Sequence, residues 1–261
     1  MSPVLEVKGL TKAFGGIQAL SGVDLTIQPK QIMALIGPNG AGKTTFFNCL
    51  TGMYIPDQGE IQLAAPVGST SLKGLKPNRI TGLGMARTFQ NIRLFDQLTV
   101  IENVMVGLHD RLKSNFLDAI LQSKRHKREE AFAKEEAYQL LERMNLVERA
   151  GAKANSLSYA DQRRLEIARA LATGPKLLLL DEPAAGMNHA ETAELDDLIL
   201  SLRDDLGISI LLIEHDMKLV MKISDSITVM DRGSSIACGS PIEIRENKKV
   251  IAAYLGEESD A

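Results

Sequence analysis

Residues Ile32–Ile36 read IMALI, and the nine residues that follow read GPNGAGKTT. This junction constrains the fold more than any other stretch of the chain. A continuous apolar run of this length reads as a strand buried on both faces. The glycines Gly37, Gly40 and Gly42 let the backbone curl so that its N–H groups face one point. Lys43–Leu50 has helix character, and a helix N-terminus adds positive potential at that point. The spacing G-x-x-x-x-G-K-[ST] is that of a phosphate-binding loop, with Pro38, Asn39 and Ala41 between the glycines and Thr45 after them. In such a loop Lys43 reaches the β- and γ-phosphates, and the Thr44 hydroxyl is placed for Mg²⁺. Strand, loop and helix in this order predict a nucleoside triphosphate as ligand.

The length of 261 residues suits one large domain, or one domain with a lobe inserted into it. With 44% hydrophobic and 24% charged residues the chain can bury a sizeable core. A net charge of −3 gives no basic excess to match nucleic acid, which is not expected as a partner. The opening MSPVLEVKGLTKAFGG lacks a basic segment followed by an apolar one, so no signal peptide is expected. No apolar run approaches the ~20 residues of a membrane helix, so any membrane role must come through a partner. Cys49 and Cys238 have no metal-ligand spacing and read as buried free thiols in a reducing compartment.

Val4–Val7 and Val23–Ile27 alternate apolar and polar residues like antiparallel strands. Asp57–Gly59 reads as a turn before a short strand at Glu60–Leu63. From about Asn91 to Asn155 the texture turns helical and charge-dense. There Glu130 and Lys134 sit at i,i+4, while Leu140, Leu141, Met144 and Leu146 form an apolar face. The basic cluster Lys124–Arg128 reads as a solvated helix face, with phosphate or partner contact as the alternative. After Ser158 strands and helices alternate again: Leu177–Leu180, Ala190–Asp205, Ile208–Ile213, Asp216–Ile223, Ser226–Met230 and Ser235–Ala237. The expected fold class is α/β: a P-loop NTPase core with a mainly parallel sheet, an N-terminal antiparallel β subdomain and an inserted helical lobe. Residues 1–90 and 156–261 would form the core and its β subdomain, and residues 91–155 the lobe.

LLLLDEP, Leu177–Pro183, supplies the acids. Asp181 closes a buried strand expected beside the phosphate-loop strand, where a carboxylate can hold Mg²⁺ through water. Glu182 then points into the site and can orient or deprotonate an attacking water. His215 follows the next apolar strand and lies at the carboxyl edge of the sheet, within reach of a γ-phosphate. Gln90, where the core hands over to the lobe, can meet both Mg²⁺ and the water. Ser158 and Asp161 have the spacing of a capping box for the helix that continues through Ala172.

Together these pieces resemble the nucleotide-binding subunit of an ABC transporter. Phosphate loop GPNGAGKTT, Q-loop RTFQN, signature LSYADQRRLEIARAL, Walker B LLLLDEP, D-loop AAGMN and switch-histidine segment IEHDM occur in the family's order. LTKAFGGIQAL, ARTFQNIRLF, QRRLEIARAL, EPAAGMN and the tail IAAYLGE are similar to the branched-chain amino acid (LivG-type) subfamily. The resemblance implies an importer ATPase using ATP and Mg²⁺. Phe14 would stack on adenine, a role weighed against that of a core phenylalanine. Gly37–Thr45 would hold phosphate and Mg²⁺, Gln90 would sense the γ-phosphate, Asp181 would bind the metal, Glu182 would be the base and His215 the switch.

The resemblance also implies a head-to-tail pair with a second ATPase subunit, either a homodimer or a heterodimer with a LivF-type chain. Ser158 and the Ala160 N–H would face the partner's ATP. Membrane permease subunits would dock near Asn91–Val104 on the cytoplasmic face of the inner membrane, with a periplasmic binding protein acting indirectly. Two places depart from the family pattern. The signature reads Leu157-Ser158-Tyr159-Ala160-Asp161 where Leu-Ser-Gly-Gly-Gln is usual, and Asn188 replaces the usual D-loop aspartate. An acid near a triphosphate is repulsive, so Asp161 is expected to turn back onto its own helix. The other readings are the ATPase of a lipid or lipopolysaccharide extraction system, a non-transport ABC ATPase, and a P-loop kinase.

Overall fold

A computed structural model of the chain describes residues 2–111 and 124–255. The N-terminal strands β1 (Leu5–Phe14) and β2 (Ile17–Ile27) form an antiparallel hairpin across Gly15–Gly16. Leu5 and Val7 on one strand and Val23, Leu25 and Ile27 on the other are buried, as the alternation predicts, and Leu10 joins them after a register shift beyond Val7. The phosphate-loop strand β3 (Ile32–Ile36) belongs to a second sheet. Strand β4 (Gln58–Ala64) pairs with β1, and β5 (Ser69–Ser71) pairs with β4, completing a four-stranded antiparallel sheet. Gln58 and Gly59 lie inside β4, not in a turn. Gly59, at φ 92°, sits where a β-carbon would be 2.5 Å from the Gly9 carbonyl oxygen, so this glycine marks a close strand approach.

The second sheet has six strands in the order β10-β9-β3-β8-β7-β6. They are β6 (Met85–Arg87), β7 (Leu177–Asp181), β8 (Ser209–Ile213), β9 (Ser226–Asp231) and β10 (Ser234–Gly239) around β3, parallel except for the β9–β10 hairpin. Residues of one strand divide between two cores. Leu177, Leu179, Leu211 and Ile213 pack toward the antiparallel sheet, whereas Leu178, Leu180, Ile210 and Leu212 pack toward the helices opposite. That double burial is why these strands read as unbroken apolar runs. One expectation is corrected: β7 is not the neighbour of β3, because β8 lies between them. Each parallel strand needs a helical crossover, and the crossover is free to skip a position in the sheet.

Helices α1 (Lys43–Leu50) and α2 (Pro77–Gly82) precede β6. Helix α3 (Val100–Leu108) starts at a full capping box between Thr99 and Glu102. Helix α4 (Lys124–Arg143) buries Ala133, Ala137 and Leu141. Met144 and Leu146 beyond its end join the same core, with Leu140 partly buried against it. Arg128 is exposed, and the side chains of Lys124–Lys127 lie outside the described residues. Helix α5 (Tyr159–Ala172) crosses α3 closely, since a β-carbon at Gly107 would lie 2.3 Å from the Arg169 carbonyl oxygen. Helices α6 (His189–Asp204), α7 (Met217–Ile223), α8 (Pro241–Glu246) and α9 (Lys248–Leu255) complete the described chain. No described helix is long and apolar enough to cross a membrane. Cys49 is buried but Cys238 is exposed, which corrects the expectation of two buried thiols: Cys238 stands on the edge strand β10.

Candidate active site

Leu35, Ile213 and Asp181 stand level across β3, β8 and β7. The phosphate loop, His215 and Glu182 therefore leave the sheet along one edge, with about 5 Å between neighbouring strands. This is the carboxyl edge, where open α/β sheets bind ligands.

The loop from Gly37 to Gly42 closes back on the fold. Gly37, Gly40 and Gly42 take φ of 149°, 77° and 99°. A β-carbon at Gly37 would lie 2.1 Å from the Met230 carbonyl oxygen, and one at Gly42 2.5 Å from that of Ala19. Gly42 caps α1 without a side-chain bond, and the first turn of that helix carries no acid. A helix start without a side-chain cap or a first-turn acid suits an anion. The Lys43 ammonium is 7% exposed and donates to the carbonyls of Gly37 at 2.6 Å and Pro38 at 2.9 Å. Pro38 and Ala41 are buried, Asn39 and Gly40 are exposed, Thr44 is exposed and Thr45 half-buried. Convergent N–H donors with an ammonium beside them fit a polyphosphate.

Glu182, Gln90 and His215 converge. Gln90 Nε2 donates to Glu182 Oε2 at 3.0 Å, and His215 Nε2 lies 3.1 Å from Glu182 Oε1. Glu182 takes a left-handed φ of 49°, a conformation costing about 1–3 kcal/mol for a residue with a β-carbon. Its N–H donates to the Ile213 carbonyl at 2.9 Å, which holds the turn in place. Strained backbone at this sheet edge holds the carboxylate where Gln90 and His215 both meet it.

Two residues that the sequence did not single out complete this cluster. Asp181, 3% exposed, pairs with Arg87 at 2.7 Å. Arg87 also donates to Asn48 Oδ1 at 2.7 Å and lies over the rings of Phe47 and Phe89. Arg87 closes a three-residue strand whose pairing with β7 no local pattern announces. Glu214, 5% exposed, accepts from the N–H groups of Ala184 at 2.8 Å, His215 at 2.9 Å and Asp216 at 3.4 Å. It ties the chain after Glu182 to the backbone of the histidine. Burial raises its carboxyl above the usual glutamate range, the three N–H bonds oppose this, and nearby Glu182 adds to it.

Phe14 is 41% exposed and so is not a core phenylalanine. It meets Tyr54 edge-on at 5.1 Å, with the Lys12 ammonium 5.3 Å from its ring. Its hairpin continues into Ala19 and Leu20, which abut Gly42, so this aromatic face stands beside the phosphate loop. Ser158, exposed, caps α5 by accepting from the Asp161 N–H at 3.2 Å. Asp161 does turn onto its own helix, but it pairs with Arg164 at 3.6 Å and does not return to the Ser158 N–H, so only half of the capping box forms. Ala160 is buried, and at this first turn its N–H has no carbonyl four residues back within the helix. Asn188 caps α6 in a full box with Glu191.

Among the described residues no three His, Cys, Asp or Glu side chains gather to hold a metal ion by themselves. The Thr44 hydroxyl, the Asp181 carboxylate and the Gln90 amide oxygen are hard donors. They suit Mg²⁺, which takes one or two carboxylates and leaves its other positions to phosphate and water.

A phosphate loop, a carboxylate turn and a histidine on one sheet edge, with a helical segment entering between them, define a nucleotide-binding cassette. Residues 20–185 match the ABC transporter family, and residues 235–260 match the branched-chain amino acid ATP-binding cassette transporter family. The chain belongs to the ABC transporter ATP-binding family. It is 50% identical to the high-affinity branched-chain amino acid transport ATP-binding protein BraF of Pseudomonas aeruginosa, over 98% of both chains. To LivG of Escherichia coli K12, the corresponding high-affinity branched-chain amino acid transport ATP-binding protein, it is 51% identical over 98% of both chains. Among solved structures it is similar to the ADP conformation of MJ1267, an ATP-binding cassette of an ABC transporter. The TM-score is 0.83 and the identity 30%, over 98% of this chain and all of that one.

Proposed function

We propose that this chain hydrolyses ATP with Mg²⁺ as the motor subunit of an importer for branched-chain amino acids. The observation that carries the chemistry is Glu182, held at a left-handed turn between the Gln90 amide and the His215 imidazole. Gly37–Thr45 and Lys43 bind the phosphates, and Phe14 stacks on the base. Mg²⁺, when bound, neutralises phosphate charge; Thr44, Asp181 and the oxygen of Gln90 hold it, directly or through water. Glu182 accepts the proton of the attacking water. His215 holds Glu182 and the terminal phosphate in register. Transport of branched-chain amino acids rests on the likeness to BraF and LivG.

The active form is a head-to-tail pair, with a copy of this chain or a LivF-type subunit, in which Ser158 and the Ala160 N–H close on the partner's ATP. The segment 91–155 is the lobe that meets the permease, on the cytoplasmic face of the inner membrane, and a periplasmic binding protein acts from the other side. A groove of about 460 Å³ runs between Arg93–Phe95, Val106, Gly107 and Arg169. It overlaps only part of Asn91–Val104 and draws its other wall from α5, so docking there engages both segments.

Replacing the carboxylate tests the reading. Glu182→Gln keeps the turn and the bond to Gln90 but removes the base. Phosphate release should fall about 10²–10⁴-fold while ATP stays bound and pairing is promoted. Unchanged turnover would remove Glu182 from the role of base.

A further inference from the structure

Arg163 and Glu166 are the most deeply buried opposite charges in α5, with side chains 0% and 1% exposed and 2.8 Å apart. Exchanging a buried ion pair for apolar residues of similar volume is often neutral or stabilising, so burial of the two charges does not by itself account for them. Their bonds to the backbone all lead to one place. Arg163 donates through Nη1 to the Phe89 carbonyl at 2.6 Å and through Nη2 to the Gln90 carbonyl at 2.9 Å. Glu166 Oε1 accepts from the Phe89 N–H at 3.4 Å and the Arg93 N–H at 3.2 Å. The peptide groups on both sides of Gln90 are thus gripped by α5, while the Gln90 side chain reaches Glu182.

Arg163 also reaches the start of this helix. Its Nη2 donates to the Tyr159 hydroxyl at 3.2 Å, and Tyr159 stands in the first turn beside Ser158 and Ala160. The Tyr159 ring packs on the D-loop, where a β-carbon at Gly186 would lie 3.3 Å from it. From Ser158 to Arg163 the helix rises about 7–8 Å, a span too short to bend under load.

We infer that the Arg163–Glu166 pair is a positioning latch that makes the Gln90 loop and the Ser158–Ala160 helix start one mechanical unit. The inference rests on the proposed ATP cycle. A shift of Gln90 on nucleotide binding is carried through two carbonyl bonds to the helix start that this chain offers to its partner's ATP. Arginine suits the task because one planar fork serves four partners at once, the Phe89 and Gln90 carbonyls, the Glu166 carboxylate and the Tyr159 hydroxyl, which the three donors of a lysine ammonium cannot do.

Hydrogen exchange on the full chain carrying Glu182→Gln, with and without MgATP and at a protein concentration where light scattering shows single chains, so that protection at 156–163 does not come from pairing, tests the latch. With the pair intact, nucleotide should change protection in residues 88–93 and in residues 156–163 together. Arg163→Lys and Glu166→Gln each keep a donor or acceptor in place. In them the loop should still respond and nucleotide affinity should stay within about twofold, while the response at 156–163 is lost. If either single variant unfolds, Arg163→Met with Glu166→Leu leaves no lone buried charge, and the same loss is expected. A response at 156–163 that persists with the pair broken, or is missing with it intact, overturns the latch alone. No protection at Gly37–Thr45 in the intact chain overturns the nucleotide reading and the latch with it.

Discussion

The helices that start at Lys43 and Tyr159 are both proposed to present their N-termini to a triphosphate, yet they are built in opposite ways. The α1 start is capped by Gly42 with no side-chain bond and no acid in the first turn, and Lys43 stands beside it. No side chain of its own caps this start, and the ammonium of Lys43 lies against the loop carbonyls of Gly37 and Pro38. The α5 start satisfies itself first: Ser158 takes up the Asp161 N–H, and Asp161 adds a carboxylate that Arg164 balances. Arg164 is in turn bound to Glu194 on α6. In the proposed reading one end is an anion site within a single chain. The other is a stable helix start that, in the proposed pair, completes a site when a partner brings the phosphates.

Substitutions at the two ends should separate accordingly. The largest effect belongs to α1. Lys43→Ala removes a charge-assisted bond, and the MgATP affinity of the isolated chain should fall about 10–100-fold in a titration. Equal loss from Ser158→Ala in the same titration would break the comparison. Ser158→Ala should instead cost about 1 kcal/mol of stability, a melting shift of about 2–4 °C, with single-chain affinity unchanged and ATP-driven pairing weakened. Smaller still is Asp161→Gln, which should lower stability by about 0.3–1 kcal/mol through the lost dipole interaction. If it strongly tightened ATP-driven pairing, the acid faces the phosphate after all. The smallest readout concerns the rigidity of α1 itself. Burial pushes the Cys49 thiol on this helix up to about 11. At neutral pH a maleimide should label exposed Cys238 and spare Cys49. Labelling of both would show that α1 opens.

How much could be read in advance depended on how far apart in the chain the cooperating groups lie. Helix α1 was bounded at Lys43–Leu50 from the sequence because glycines, lysine and apolar periodicity all act within one turn. Strands β3, β7 and β8 were legible as apolar runs, since double burial leaves no polar face. Their lateral order was not, because a crossover does not encode which edge it returns to. Strand β6 escaped notice at three residues, and with it Arg87, whose partner Asp181 is 94 residues away. Glu214 escaped because a glutamate closing a strand looks like any surface acid until three N–H groups are seen to converge on it.

By itself the sequence determined the phosphate loop, since every donor in it comes from nine consecutive residues and the backbone freedom of three glycines is a local property. It also determined which side chains were candidates for the chemistry: Gln90, Asp181, Glu182 and His215. Only the tertiary structure decided that Gln90 and Glu182, 92 residues apart, and His215, 33 further on, share one hydrogen-bonded cluster. It alone decided that a buried ion pair fastens that cluster to the signature helix. Directional contacts of about 3 Å between distant segments are set by strand register and helix packing, and these emerge only when the whole core closes.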